Sequence, residues 1–389
     1  MTRALGPEGF GVYSTIFAYL FLFTILADMG LYTLTVREIS QNPESEVRIT
    51  SSMFTLRLFL VCMVAVLACL VAVFMPYNPL VKSGIIIGSF SMITTSLVQV
   101  LMGVFQKHLR LGRVAVAEVI ARAMQLLIVF ILVNQHSTGV LPYVWVAVAV
   151  GAAQLLLTVV FSRRLVPFRL LIDWDYWKRI LVPAIPIALS LICTLIYFKI
   201  DTVMLSLMKS PADVGVYALG YKVLEIVIFF PAMYVGLVMP MLSQKANNPP
   251  EFKIVMRSAF KVLFVGALLS SVVLIAGARP IIHLVGGVEY GAGVAVLRIL
   301  ALAVAVIFFG NLGGNAIVAL NVQKQGVWIY ASGAVFNILA NLVFIPRYSY
   351  YAAAWNTVAT ELLVTIGMFL LVRRALARDR DVAYTISHP

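Results

Sequence analysis

Long apolar runs in this chain contain Asp28, Arg57, Glu118, Arg122, Lys199, Asp201, Lys222, Glu225, Lys261, Arg298 and Glu361. A charge among apolar residues is costly, so each is a functional candidate by default. Cations at such positions hold anionic groups, and Arg does so bidentately. Carboxylates there hold a proton or a small cation. Spacing sorts these residues further. Glu118 and Arg122 are i,i+4, and Lys222 and Glu225 are i,i+3, so each pair can either neutralise itself or face a ligand. Lys199 and Asp201 are i,i+2 and cannot share a helical face, so at least one needs a partner elsewhere. Asp28 and Glu361 have no local helical partner; each either bonds inside a bundle or couples to an ion. Arg57 and Lys261 lie within reach of a membrane surface by snorkelling.

The elements that must carry these charges follow from composition. Of 389 residues, 62% are hydrophobic and 12% charged, against about 45–50% and about 25% in a soluble domain. That much apolar sequence supplies roughly a dozen spans of about 20 residues. The runs are continuous and about 20 residues long, which fits poorly with the alternating pattern of a β-barrel. Spans are predicted at about 10–36, 52–75, 80–106, 112–134, 141–163, 180–208, 214–240, 255–276, 292–320, 326–345 and 350–372. Turn chemistry marks the breaks, as at Asn42-Pro43, Asn78-Pro79, Ser210-Pro211 and Asn247-Asn248-Pro249-Pro250. Pro183, Pro186, Pro231 and Pro240 fall within spans and predict kinks. Trp174, Trp177, Tyr348, Tyr350 and Tyr351 beside span ends are expected as interfacial anchors.

The net charge of +13 is expected to encode topology rather than nucleic-acid binding. With alternate loops assigned to opposite sides, one side collects Arg37, Arg48, Lys107, Arg110 and Arg113. It also takes the linker's Arg163, Arg164, Arg169, Lys178 and Arg179, then Lys245, Lys253, Arg257, Lys324 and the tail's Arg373, Arg374, Arg378 and Arg380. The other side holds only Arg3, Lys82, Lys209, Arg279 and Arg347. The basic side is expected to be cytoplasmic, and the C-terminal tail with it. The predicted organisation is a transmembrane lobe at 1–163, a linker at 164–179, a second lobe at 180–372 and a tail at 373–389.

An internal echo relates the lobes. Gly11-Val12-Tyr13 and Gly215-Val216-Tyr217 each follow a short turn and open a long apolar run, and Gln106-Lys107 is echoed by Gln323-Lys324. The fold class expected is all-α and polytopic, with two parallel six-helix lobes. Eleven spans are legible, so the first helix of the first lobe is expected to be missing from this sequence.

The string Leu5-Gly6-Pro7-Glu8-Gly9-Phe10-Gly11-Val12-Tyr13-Ser14 resembles the first loop of the polysaccharide and O-antigen flippases. That family belongs to the multidrug/oligosaccharidyl-lipid/polysaccharide exporter superfamily. Asp28-Met29-Gly30-Leu31, Arg37-Glu38, Lys199-Ile200-Asp201-Thr202-Val203-Met204-Leu205 and Val214-Gly215-Val216-Tyr217 extend the resemblance over most of the chain. It implies two lobes around a central cavity in the cytoplasmic membrane. It implies transport of a polyprenyl-diphosphate-linked oligosaccharide by alternating access, for later use by a polysaccharide polymerase. On that basis Arg57, Arg122, Lys199, Lys222 and Arg298 are the cations expected to meet the diphosphate. Asp28, Asp201, Glu225 and Glu361 are the carboxylates expected to take a coupling proton or sodium ion.

Two rivals remain at this stage: a cation-coupled multidrug efflux protein of the same superfamily, and a membrane-embedded glycosyltransferase or polymerase. The second would need a large catalytic outer loop. No phosphate-binding Gly-Lys-Ser loop occurs, and His108, His136, His283 and His388 have no metal-ligand spacing. Cys62, Cys69 and Cys193 lie within apolar runs and form no disulfide framework. No cofactor is expected. Asn337 and Asn341, i,i+4 on one span, are expected to face the bundle interior, and Gly313-Gly314 with Asn311 and Asn315 to form a polar, flexible patch.

Overall fold

The computed structural model describes the backbone of residues 1–28 and 30–387, and their side chains except at 25, 182–197 and 378–387. Met29, and the side chains of Pro183, Pro186, Cys193, Arg378 and Arg380, lie outside the described residues. The expected all-α polytopic architecture is what the structure has, with no strand among the described residues. The α-helices are α1 (Thr2–Asp28), α2 (Leu31–Gln41), α3 (Glu46–Phe74), α4 (Pro79–Lys107), α5 (Leu111–Asn134), α6 (Val140–Arg163) and α7 (Trp174–Met208). They continue as α8 (Pro211–Gln244), α9 (Pro249–Val285), α10 (Gly293–Ala319) and α11 (Gln323–Ser387). Nine helical stretches among the described residues are long and apolar enough to cross a membrane.

Three departures from the predicted spans have physical causes. The first predicted span, 10–36, is split: α1 ends at Asp28, and Gly30 enters the left-handed region (φ 71°) before α2 begins. That conformation is open to glycine at no steric cost. Conversely, the predicted spans 326–345 and 350–372 form one helical stretch, α11, broken only at Ser349 (φ 51°) just after Pro346. Helix α9 runs well past its predicted ends, 255–276, with Asn248 capping its start through Glu251 N.

The chain forms two compact units, Met1–Val203 and Met204–Pro389. The boundary thus falls within α7, beyond the hydrophilic linker. In the first unit, α4 carries Gly84 and Gly88, a small-xxx-small pair that lets a neighbouring backbone approach closely. Helix α1 fills that groove with Ile16 and Leu20; a Cβ at Gly84 would collide with Ile16 Cδ1 and stand 2.9 Å from its Cγ1. In the second unit Gly313 and Gly314 do similar work. Both are helical, and added Cβ atoms would meet Met368 Cβ at 3.0 Å and Tyr330 Oη at 3.1 Å. They are packing contacts between α10 and α11, so the flexible patch expected from Gly313-Gly314 is corrected; Asn311 and Asn315 bond backwards to Ile307 O and Asn311 O of their own helix.

Trp177 also departs from its expected role. It is buried in a core with Leu56, Leu60, Val100 and Tyr176, and its Nε1 donates to Ser52 Oγ at 2.9 Å. Its neighbour Trp174 is exposed.

Replacing Gly84 by Ala is expected to lower stability by about 1–3 kcal/mol through overpacking against buried Ile16. Gly112→Ala, where a Cβ meets nothing within 4 Å, should be neutral or slightly stabilising. Thermal unfolding of both variants in the same detergent checks the contrast.

Candidate functional site

The break between α1 and α2 lies deep. Arg57 stands eleven residues into α3 and Gln99 eight before the end of α4, or roughly 12–16 Å along each helix. Ending α1 there frees its last carbonyls where lipid offers no donor. Arg57 meets them. Its Nη1 donates to Ala27 O at 2.6 Å and lies 2.8 Å from Asp28 Oδ1, while Nη2 donates to Gln99 Oε1 at 3.0 Å. Arg57 is 0% exposed and the largest fully buried side chain described. Rather than snorkelling, it turns inward and holds the broken helix. Asp28 is its partner, although no helical spacing links the two. Gln99 carried no sequence signal, because a lone Gln on an apolar helix has no pattern.

A second set of charges in this unit is open. Helix α5 has three faces. Val114, Ala117 and Ala121 are buried; Val119, Ile120, Leu126, Leu127 and Phe130 are exposed and apolar; Glu118, Arg122 and Gln125 form an exposed or half-exposed polar stripe. Arg122 is 64% exposed, lies 3.6 Å from Glu118 Oε1, and donates to Gln125 Oε1 at 3.0 Å. The stripe starts seven residues into the helix and ends at fourteen, or roughly 10–20 Å along it. Charges within a span generally face a bundle interior or a water-filled cavity. Arg122 also interacts electrostatically with Tyr13 on α1.

Helix α1 presents a matching stripe of partly exposed Ser14, Phe17, Phe21, Thr24 and Asp28 at helical spacing. Tyr13 packs on Phe17 with centroids 4.6 Å apart, and Lys199 Nζ of α7 sits 6.0 Å from the Phe21 ring centre. Lys199 is half-buried and Asp201 is buried, so the two point differently, as their spacing requires. This unit therefore brings together Asp28 with Arg57, and places Lys199 and Arg122 against the aromatic stripe of α1.

In the second unit Lys222 Nζ pairs with Glu225 Oε2 at 3.0 Å, and Lys222 is mostly exposed. Arg298 is exposed and its Nε reaches Ile275 O of α9 at 3.4 Å. Glu361 is buried on α11, near Tyr330 and near the hydroxyl of Thr365, which faces Gly310. Beside it runs a polar ladder that sequence reasoning saw only in part. Asn356 Nδ2 donates to Asn341 Oδ1 at 2.8 Å, Asn341 Nδ2 to Asn337 Oδ1 at 2.9 Å, and Asn337 Nδ2 to Thr360 Oγ1 at 3.2 Å. Tyr217 Oη and Thr357 Oγ1 lie 3.1 Å apart. Among the described residues no three His, Cys, Asp or Glu side chains gather as for a metal ion.

The basic end of the first unit is laced by ion pairs. Glu46 at the start of α3 takes Lys107 and His108 Nε2, the latter at 2.9 Å, and Tyr32 donates to Gln106. Arg48 Nη2 meets Asp173 Oδ2 at 2.6 Å. Arg48 and the Tyr176 backbone N–H, both donating to Asp173, hold its carboxyl below the usual carboxylate value.

These features define a polytopic transporter-type fold, and solved structures share it. An inward-facing multidrug resistance MATE family transporter of the MOP superfamily aligns with a TM-score of 0.80 at 14% identity, covering 98% of this chain and 93% of its own. The lipid II flippase MurJ in an inward closed conformation aligns at 0.72 and 13%, over 96% and 88%. A MOP superfamily transporter from Pyrococcus furiosus, described as having a binding pocket of reverse polarity, aligns at 0.63 and 14%, over 97% and 90%. No curated protein sequence matches the chain. A family model described as "Polysaccharide biosynthesis protein" matches residues 1–245, and a MatE model matches 186–343. The chain belongs to the polysaccharide biosynthesis protein family. The fold is the one seen in those MATE and MurJ structures.

Removing Arg57 should be severe, because it strands both Asp28 and the Ala27 carbonyl. Arg57→Ala is expected to cost about 3–5 kcal/mol, and Arg57→Lys to recover only part, since an ammonium lacks the planar fork. Thermal unfolding in detergent reads both. The ion pair with Arg48 gives Asp173 a pH-dependent share in stability. Its depressed folded value means its contribution is full above about pH 4 and lost as pH falls through that folded value. The Tm gap between the natural chain and Asp173→Asn should be widest at neutral pH and close on acidification.

Proposed function

We propose that this protein is a flippase that carries a polyprenyl-diphosphate-linked oligosaccharide across the cytoplasmic membrane by alternating access, feeding a surface-polysaccharide polymerase. Its basic loops and C-terminal tail face the cytoplasm. The observation that carries this reading is the open polar face of the first unit. Arg122 and Lys199 stand at membrane depth, one on an exposed stripe and one over Phe21, beside the aromatic stripe of α1. Such a face suits a head group that combines diphosphate with sugar: cations take the phosphates, and aromatic faces and amides take the sugar, while the polyprenyl tail stays in lipid. Membership of the polysaccharide biosynthesis family supports the same substrate class.

Lys222 and Arg298 supply further exposed cations in the second unit. Arg57 acts differently from Arg122: its role is to hold the α1–α2 break. Asp28, Asp201, Glu225 and Glu361 are the proposed coupling groups for a proton or sodium ion; Asp201 and Glu361 are the buried ones. A second reading, cation-coupled multidrug efflux, is favoured by the MatE match over 186–343. The two differ in the charge of the substrate, because efflux of a cationic drug gains nothing from Arg122 and Lys199.

Proteoliposomes given a short-chain fluorescent polyprenyl-diphosphate oligosaccharide test the proposal. Arg122→Gln and Lys199→Gln are each expected to slow translocation about tenfold or more, equal to about 1.4 kcal/mol. Unchanged rates in both variants, or transport of a cationic dye in place of the lipid, would overturn it.

A further inference from the structure

The linker joining α6 to α7 is not a free loop. From Arg164 to Asp173 it runs as a strap along the start of α3. Arg169 N donates to Ser51 Oγ at 3.1 Å and Leu171 N to Thr55 Oγ1 at 2.9 Å. Ser51 and Thr55 are one helical turn apart, so the strap descends about 6 Å along α3 toward the bilayer before Asp173 returns to Arg48. Val166 and Phe168 of the strap itself are buried, with Phe168 packed on Phe54 at 5.0 Å.

The opposite face is unusual for a loop. Leu170, Ile172 and Trp174 are 65%, 62% and 60% exposed, at the i, i+2, i+4 spacing of one side of an extended chain. This apolar face joins the outer surface of α3: Trp174 packs edge-on to Trp177 at 5.0 Å, and Trp177 stacks on Phe59 at 6.2 Å. From Phe59 an exposed apolar stripe continues along α3 through Met63, Val66 and Leu70 at helical spacing. That stripe has the character of a lipid-facing surface, so the strap sits at its rim. Around the rim Arg163, Arg164, Arg169, Lys178 and Arg179 are all exposed. The acids nearby include Asp173, already held by Arg48, together with Asp175 and with Glu38, which acts electrostatically on Tyr176.

We propose that segment 163–179 is a docking element for anionic phospholipid, in which Leu170, Ile172 and Trp174 enter the acyl boundary and the five surrounding cations hold the headgroup phosphates. Apolar side chains with a tryptophan at the interface supply depth, and clustered Lys and Arg supply preference for acidic lipid. The preference weakens with salt, because exposed charges are screened. A lipid seated there keeps the strap pressed on Ser51 and Thr55, and so fixes the level at which α7 enters the bilayer.

The test uses the full chain in phosphatidylcholine nanodiscs with increasing phosphatidylglycerol. Brominated lipid should quench Trp174, isolated as the difference between the natural chain and Trp174→Phe, most strongly with bromine near the headgroup end of the acyl chain. Bound phosphatidylglycerol counted by native mass spectrometry should fall about tenfold or more in Arg164→Gln/Arg169→Gln/Lys178→Gln. The charge-keeping set Arg164→Lys/Arg169→Lys/Lys178→Arg should retain it, and both sets should unfold at the natural temperature in pure phosphatidylcholine. Neutralising Lys245, Lys253 and Arg257 elsewhere should have little effect. An unquenched Trp174, an unchanged lipid count in the Gln set, or an equal loss from the distant set would overturn the proposal.

Discussion

A helix that stops part-way through a bilayer leaves carbonyl groups that hydrocarbon cannot satisfy, and the first unit is organised around one side chain that meets this need. Arg57 donates to Ala27 O, pairs with Asp28 and reaches Gln99. Each component would be unfavourable alone. A guanidinium with no exposure carries a large desolvation cost, and an ended helix carries an unsatisfied negative dipole. Together they compensate, because the guanidinium fork matches a carbonyl, a carboxylate and an amide from three elements. Gly30 makes the break sterically free, and the Arg57 contacts make it electrostatically tolerable. The α1–α2 break is therefore held by one buried cation.

The second unit meets a related need by other means. Helix α11 is interrupted at Ser349, and Lys209 Nζ donates to Pro346 O at 2.8 Å near that interruption. Again a cation sits at carbonyls released beside a break, but here the contact is exposed and water can substitute for it. Beside the buried Glu361, neutral groups carry the buried hydrogen bonding described for this unit: Asn337, Asn341, Asn356 and Thr360 form a ladder. Neutral amides avoid the desolvation cost of ions, and they cross-link the two arms of α11 within lipid, where apolar burial gives no drive to associate. One unit thus commits a charge to its fold, and the other mainly commits amides.

How much of this was legible in the sequence depended on the range of the pattern. Continuous apolar runs located the spans, and Glu118 with Arg122 and Lys222 with Glu225 were readable as possible pairs because helical neighbours three or four residues apart lie on one face. Asn337 and Asn341 were readable as interior groups for the same reason. Arg57 with Asp28 was not readable as a pair, since the two lie on separate helices and only the break at Gly30 brings the end of α1 to α3. Trp177 resembled its neighbour Trp174 in sequence, yet one is buried on Ser52 and the other exposed; the docking of the strap on α3 decides between them, and no local period encodes it. Exposure, the property that separates a committed charge from an available one, was likewise invisible.

That property divides the charges of the first unit into two kinds. Arg57 has no exposed surface, and its two terminal nitrogens are engaged at 2.6–3.0 Å. A ligand could take it only by dismantling the helix end. Arg122 is the reverse case: more than half exposed, 3.6 Å from a carboxylate that is itself half exposed, and bound to a neutral amide. An exposed i,i+4 pair is worth only about 0.3–0.5 kcal/mol, so an incoming dianion can displace Glu118 at little cost and gain a bidentate contact. Lys199 rests over an aromatic face, 6.0 Å from the Phe21 ring centre. In the proposed reading the anionic head group therefore meets the exposed cation Arg122, and the buried Arg57 helps to hold the frame from which it projects.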